Sequence, residues 1–358
     1  MHDSLDRLLR GSLTFVADAK RRGGFKLPAK PDWIRARHCR RLLAGADAQV
    51  VLIWNRTART GFALDAIGAE NCIHYEHGAA WFGGRERERR RYLRRIPLVL
   101  AISKATARVL ETLWEYSGEV RVCRNALRPS LAPAAPIERT FPAQSRLKIG
   151  VAARLFPVKG VALALHTTKH LAAEGLDVEL HVAGDGPERE RLAALGARLG
   201  IDTRLRFHGF VEDMSTFYRG IDCLLHLPLT EPFGLVAVEA AAHGCPIVAA
   251  AVDGLPEAVE AGITGYCVAS TLPLADYASL GGSREGMPVV VYDATADSVR
   301  EPHVVDPAAA ARAVQRVFAT PADYARIGNV ASAHVLREFR FDAYVDSVMG
   351  TIEDFARR

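Results

Sequence analysis

Several things are missing from this sequence, and each absence closes a class of function. No apolar run approaches the roughly 20 residues that a membrane-spanning helix needs. The opening stretch, MHDSLDRLLRGS, lacks the basic-then-apolar order of a secretory signal, so the cytoplasm is the expected location. The cysteines (Cys39, Cys72, Cys123, Cys223, Cys245 and Cys267) are scattered, with no CxxC pair, and several fall in apolar runs. Reduced core thiols are therefore expected, not disulfides or a zinc site. No groove-reading motif or row of stacking aromatics accompanies the basic residues, which argues against nucleic acid as a partner. The glycines of AGDGPE (Ala183–Glu188) do not complete a GxGxxG, because Arg189 takes the last place. A tight turn between strand and helix is expected there in place of a dinucleotide fingerprint.

What is present is the composition of an ordinary globular protein, 358 residues long, which makes two domains the expectation. Charge is unevenly spread. Residues 1–100 hold 20 Lys/Arg against 10 Asp/Glu, a local balance of +10, whereas the whole chain is +5. The densest segment, RERERRRYLRR (Arg85–Arg95), has seven arginines in eleven positions. It reads either as a solvated helix face with Glu–Arg pairs or as a docking surface for an anionic membrane or acidic glycan.

From Leu147 the pattern is regular. Strand-like LKIGVAA, VELHVAG and RLRFHGF alternate with helical VALALHTTKHLAAEG, PERERLAALGARLG and MSTFYRG. Short connections between alternating strands and helices predict a parallel sheet covered on both faces. The front part repeats the theme with AQVVLIWN, NCIHYEH, LVLAISK and VRVCRN. The expected division is a first α/β domain over 1–128, a Pro-rich linker over 129–145, a second domain over 146–340 and a closing amphipathic helix over 341–358. Within the second domain, Thr271–Val305 has no periodicity and reads as an insertion or mobile loop.

The residues suited to chemistry cluster at strand ends. In TEPFGLVAVEAAAHGCPIVAA (Thr230–Ala250) an apolar strand, a loop, an Ala-rich helix and another strand follow one another. Glu231 falls in the loop and Glu239 about a turn and a half into the helix. Between them the free N–H groups of Phe233, Gly234 and Leu235 suit an anion. Carboxylates flanking an anion site suit a ligand bearing both hydroxyls and phosphate; complementing the helix dipole and facing solvent are the plainer roles. Arg154 and Lys159, in AARLFPVKG, pair a guanidinium with an ammonium before a helix, which suits a diphosphate. His77, in HYEHGAAW, ends a strand of the other domain.

Together and in this order, HYEHGAAW, AISKATARVL, VAARLFPVKG, HVAGDGPE, FHGFV, EPFGLVAVEAAAHGCPIVAA and DGLPEAV resemble the retaining glycosyltransferases of family four. The resemblance runs from about Asp47 to the C-terminus and is close over Leu147–Val268. It implies the GT-B fold, two Rossmann-like parallel-sheet domains facing a cleft, and transfer of a sugar from a nucleoside-diphosphate-sugar donor without a metal or other cofactor. Arg154 and Lys159 are then expected to neutralise the donor diphosphate, Glu239 to meet the ribose hydroxyls and Glu231 the transferred sugar. The amides after Pro232, with Gly184 and Phe210, are expected to join the donor site, and His77 to approach the sugar from across the cleft. The acceptor class implied is a glycan or lipid-linked glycan of cell-surface polysaccharide or lipopolysaccharide synthesis. The chain has no D-x-D triplet, in keeping with a metal-free site.

The strand and Gly-rich loop with which members of this family begin are not recognisable, so the first domain is expected to be shortened. RRGGFKLP (Arg21–Pro28) has two glycines but lies just ahead of the segment matching the middle of that domain. Two other readings remain open on the same fold: a nucleotide-sugar epimerase, and a non-catalytic nucleotide-sugar-binding partner subunit.

Overall fold

A computed structural model of the chain describes residues 21–22, 25–28, 31–43, 49–55, 61–143 and 146–358. The opening stretch and the glycines of RRGGFKLP lie outside these residues. A small antiparallel hairpin pairs β1 (Arg21–Arg22) with β2 (Phe25–Lys26), and the helix Asp32–Leu43 follows it.

The first sheet is four-stranded and wholly parallel, in the order β3 (Val51–Trp54), β4 (Cys72–Glu76), β5 (Leu98–Ala101), β6 (Glu119–Val122). Side chains alternate across it, as a strand's two-residue period requires. Cys72 and Val99 face a core with Leu93, Val109 and Trp114, while Ile73, Tyr75, Leu98 and Leu100 face the opposite way. That opposite face is covered by the chain's last helix, Phe341–Ala356. The Tyr75 hydroxyl donates to Tyr344 (3.0 Å), and Arg121 pairs with Asp354. The second half of the chain thus returns to finish the first domain.

The second sheet has seven strands in the order β15-β12-β11-β10-β7-β8-β9. These are β7 (Leu147–Ala152), β8 (Val178–Ala183), β9 (Leu205–Gly209), β10 (Cys223–His226), β11 (Ile247–Ala251), β12 (Gly265–Pro273) and β15 (His303–Val305). Only β15 runs antiparallel to its neighbour. Strands β10 and β11 are apolar and buried, as expected of parallel strands covered on both faces. Helices start at caps written in the sequence: the Asp213 carboxylate accepts from Thr216 N–H and the Thr320 hydroxyl from Asp323 N–H, each at 3.0 Å.

The stretch Thr271–Val305 is ordered into elements too short to show a period. β12 runs on to Pro273, the helix Leu274–Ser279 follows, and a hairpin of β13 (Val291–Asp293) and β14 (Ser298–Arg300) precedes β15. This hairpin crosses to the first domain, where Tyr292 is buried in the core beneath the first sheet. Arg108 holds Asp297 through two hydrogen bonds, 2.9 and 3.1 Å, and Val289 N–H donates to the Trp81 carbonyl (3.1 Å).

Candidate active site

The second sheet changes direction between β7 and β10. From β7 the order runs outward through β8 to β9 on one side and begins again at β10 on the other. Loops leaving the carboxyl ends of two such strands diverge and leave a crevice, the usual ligand position in open α/β sheets. Here one loop carries Arg154 and Lys159, and the other carries Glu231.

Those loops meet. Lys159 Nζ lies 2.7 Å from Glu231 Oε2, and His226 Nε2, at the end of β10, lies 3.5 Å from the same oxygen. Burial pushes the Glu231 carboxyl up, but the Lys159 ammonium and His226 outweigh it and hold the group down at about 2. Gly160, which ends the turn carrying Lys159, has φ +65°, and a Cβ there would sit 1.9 Å from the Leu227 carbonyl oxygen, so only glycine fits. Arg154 is exposed, its guanidinium 5.4 Å from the Phe156 ring.

Beyond Glu231 the helix Leu235–Ala242 begins at Gly234 (φ +102°), packed against Leu255. Among the described residues the N–H groups of Phe233, Gly234 and Leu235 donate to no protein acceptor. The loop is held from behind by Asp253, a residue in the left-handed region (φ +50°). Its Oδ2 accepts from Glu231 N–H (3.0 Å) and the Thr230 hydroxyl, and its Oδ1 from Tyr292 N–H and the Trp81 indole, both 2.7 Å. One buried carboxylate therefore joins the loop carrying Glu231, the inserted hairpin and the first domain.

Glu239 is buried on the helix, and both its oxygens are engaged. The Arg128 Nε and Nη2 donate to Oε1 (3.1 and 2.7 Å), and the Tyr218 hydroxyl donates to Oε2 (2.9 Å). Gly184 follows β8 with φ +135°, close to the Ala153 carbonyl, and its N–H donates to Gly209 O (2.7 Å). Phe210, the next residue along from Gly209, is 81% exposed.

His77 approaches from the end of β4. Its ring stacks on Trp54 (centroids 4.3 Å apart) and leans on Tyr75, and among the described residues its buried Nε2 has no hydrogen-bond partner. Burial pushes the imidazole down to about 4, so it is neutral at neutral pH. Two side chains fix the turn that carries it. Asn55 Oδ1 accepts from the N–H of His77 (3.0 Å), and Glu76 Oε1 accepts from those of Gly78 and Ala80 (2.8 and 3.1 Å). The turn lies against the donor loop: a Cβ on Gly78 would meet Pro232 Cγ at 2.6 Å. Alongside, the Ser103 hydroxyl donates to Pro232 O (2.7 Å), and Glu257 accepts from Lys104 and Ala105 N–H at the start of the helix Lys104–Thr112.

The arginine-rich segment forms the helix Glu86–Leu93 and divides by face. Arg89 is buried over the Trp114 ring (4.2 Å), Arg90 donates to Leu113 O, and Arg95 pairs with Asp65. Arg87, Arg91 and Arg94 are exposed at positions i, i+4 and i+7, one continuous stripe. Among the described residues no helix is long and apolar enough to cross a membrane, and no group of His, Cys, Asp and Glu is arranged to hold a metal ion.

Two facing parallel sheets with this crevice define the GT-B fold of glycosyltransferases. Anabaena HepE, solved with UDP and glucose, superposes with a TM-score of 0.66 at 19% identity, covering 98% of this chain and 89% of that one. A glycosyltransferase from Rickettsia africae gives 0.71 at 14% identity, covering 98% and 88%. Residues 137–280 match the family model of glycosyl transferases group 1. Similar curated proteins include the D-inositol 3-phosphate glycosyltransferases of Streptomyces bingchenggensis, 34% identical over 170 residues, and of a Mycobacterium species, 43% over 123 residues. Those alignments take in 41% and 32% of this chain, which spans 37% and 27% of the relatives' lengths.

Sequence reasoning brought Lys159, Glu231 and the helix N-terminus to one place, with His77 opposite. It missed Asp253, Glu257, Glu76, His226 and Arg128. His226 carried a signal, as the polar residue ending an otherwise apolar strand; Glu76 carried less, because His74 already breaks the apolar run of its strand. Arg128, in an aperiodic Pro-rich stretch, carried none.

Proposed function

We propose that the chain is a retaining glycosyltransferase that moves a sugar from a nucleoside-diphosphate-sugar donor to a glycan or lipid-linked acceptor. The observation that carries this reading is the junction of Lys159 and Glu231 at the β7/β10 crevice, beside the free amides of Phe233–Leu235 and opposite His77. UDP is the proposed nucleotide, since the similar Anabaena protein was solved with it.

In this reading Arg154, Lys159 and the helix N-terminus take up the charge that develops on the departing diphosphate, an electrostatic task for fixed cations and dipoles that needs no metal. Lys159 turns from Glu231 to the phosphates when donor binds, which frees Glu231 to accept from hydroxyls of the transferred sugar. Glu239 meets the ribose, Phe210 and Gly184 line the nucleotide's path, and neutral His77 faces the sugar from the first domain. The acceptor hydroxyl attacks the anomeric carbon from the face that the diphosphate leaves, and the leaving phosphate oxygen takes its proton, so configuration is retained.

The stripe of Arg87, Arg91 and Arg94 serves as a docking face for an anionic membrane. In this reading the protein works in the cytoplasm, peripheral on the inner face of the membrane, in keeping with a lipid-linked acceptor of surface polysaccharide or lipopolysaccharide synthesis. Product analysis tests the activity. Incubated with UDP-sugars alone, a transferase leaves the sugar intact or releases it slowly with its anomeric configuration retained, read by NMR. Conversion of the donor sugar into its epimer would replace this reading with an epimerase, and a donor that binds without any turnover, with or without acceptors, would leave a binding subunit.

A further inference from the structure

Glu239 presents a problem that the proposed donor site does not solve by itself. Its side chain is only 4% exposed, and its counter-charge is Arg128, 51% exposed and drawn from the crossing between the two domains. The backbone at that crossing is pinned on both sides. Leu127 N–H donates to the Phe339 carbonyl (2.9 Å), and Pro129 opens a short turn closed by Leu131 N–H on Arg128 O (2.9 Å). Leu127 and Leu131 are both buried. The Phe339 ring meets Phe233 of the donor loop edge to face, centroids 6.0 Å apart. Arg128 thus reaches Glu239 from an anchored position.

The geometry at the carboxylate is one-sided. Arg128 Nε and Nη2 converge on Oε1, while among the described residues Oε2 receives the Tyr218 hydroxyl alone. Burial and the adjacent Glu239 hold the Tyr218 phenol far above its ordinary value, so it stays a donor at every working pH. An ionised carboxylate offers about four acceptor positions, of which three are taken here. The carboxylate cannot rotate without breaking its bonds to Arg128 and Tyr218 together.

We propose that Arg128 is a positioning residue for the nucleotide ribose: it locks Glu239 so that a single acceptor position, on Oε2, remains for one ribose hydroxyl. The inference rests on the reading of Glu239 as the ribose carboxylate and sharpens it, because it allows Glu239 one of the two hydroxyls and not both.

Calorimetry with UDP, 2′-deoxy-UDP and 3′-deoxy-UDP tests both levels. With the wild-type protein, one deoxy analogue binds roughly tenfold more weakly than UDP, the size of one hydrogen bond to a charged group, and the other binds like UDP. With Arg128→Gln, UDP weakens by a similar factor and the three nucleotides become equivalent. The double variant Arg128→Met/Glu239→Gln, which leaves no buried charge unpaired, guards against misfolding and is also indifferent to the hydroxyls. A wild-type protein that binds UDP but ignores both hydroxyls overturns the ribose reading itself. Equal losses for both deoxy analogues overturn the single acceptor position. If Arg128→Gln still discriminates, or weakens all three nucleotides by one factor, Arg128 does not act through Glu239 and the proposal falls.

Discussion

The ion pair between Lys159 and Glu231 has a cost and a pH dependence that can be worked from its surroundings. Glu231 is 16% and Lys159 21% exposed, so neither charge is well solvated. Held at about 2 against an ordinary 4.5, the Glu231 carboxylate gains about 3 kcal/mol from its partners at neutral pH, at about 1.4 kcal/mol per pKa unit. Lys159→Met removes the larger of the two favourable partners and leaves the burial that pushes the carboxyl up. Because the variant keeps the burial and loses the lysine, it is expected to lose at least about 3 kcal/mol at pH 7. The sign with pH follows. A depressed carboxyl contributes stability above about 4.5 and loses it as pH falls toward 2, whereas in the variant Glu231 titrates above 4.5 and is relieved by protonation. The gap between the two proteins is therefore full at pH 7 and narrows below pH 5. Glu231→Gln costs less, because the lysine left alone reaches water, and the double variant recovers much of the loss, since breaking a pair costs more than deleting it. Urea unfolding at pH 7 and pH 4.5 reads these differences. A Lys159→Met protein within about 0.5 kcal/mol of wild type at pH 7, or a gap that does not change with pH, would refute the reasoning.

Burial of His77 makes its imidazole the neutral form across the physiological range, so its NMR ring signals should stay constant from pH 8 to about 5 and move only near 4. A group whose folded value is lowered costs stability as pH falls from 6.5 toward 4, and a titration centred near 6.5 would show that the ring is not buried. The arginine helix should split in the same way as its faces. Arg87→Gln/Arg91→Gln/Arg94→Gln should fold as wild type yet lose salt-sensitive co-sedimentation with anionic vesicles, at about 1 kcal/mol per cation engaged. Arg89→Gln should instead lower the unfolding midpoint, through its lost seat on Trp114. Unchanged vesicle binding by the triple variant would return the stripe to a solvated face.

The second sheet was legible because its strands are short, largely apolar runs, each followed by a loop and a helix pattern. LKIGVA, VELHVA and IVAAA mark the strands and so put Lys159 and Glu231 in loops at the sheet's carboxyl edge. Thr271–Val305 was not legible. Its strands are three residues long, and Tyr292 is fixed by a core that belongs to the other domain, which no local period encodes. The arginine segment was half legible: Arg89, Tyr92 and Leu93 share one helical face, but an arginine on a buried face reads as charge until its aromatic partner, Trp114, is known. Asp253 sits in a turn in the left-handed region, and its four donors come from three separate parts of the chain. Arg128 was invisible for the same reason, its partner lying 111 residues away.

A nucleoside diphosphate is expected to bind at the β7/β10 crevice on Arg154, Lys159, Glu239 and the amides of Phe233–Leu235, without a metal. Calorimetry of UDP against UMP, each with and without EDTA, tests it most directly. UDP should bind more tightly than UMP, EDTA should change neither, and Lys159→Ala should remove the advantage of the second phosphate. Equal affinity for UDP and UMP, or loss of UDP binding in EDTA, would contradict it.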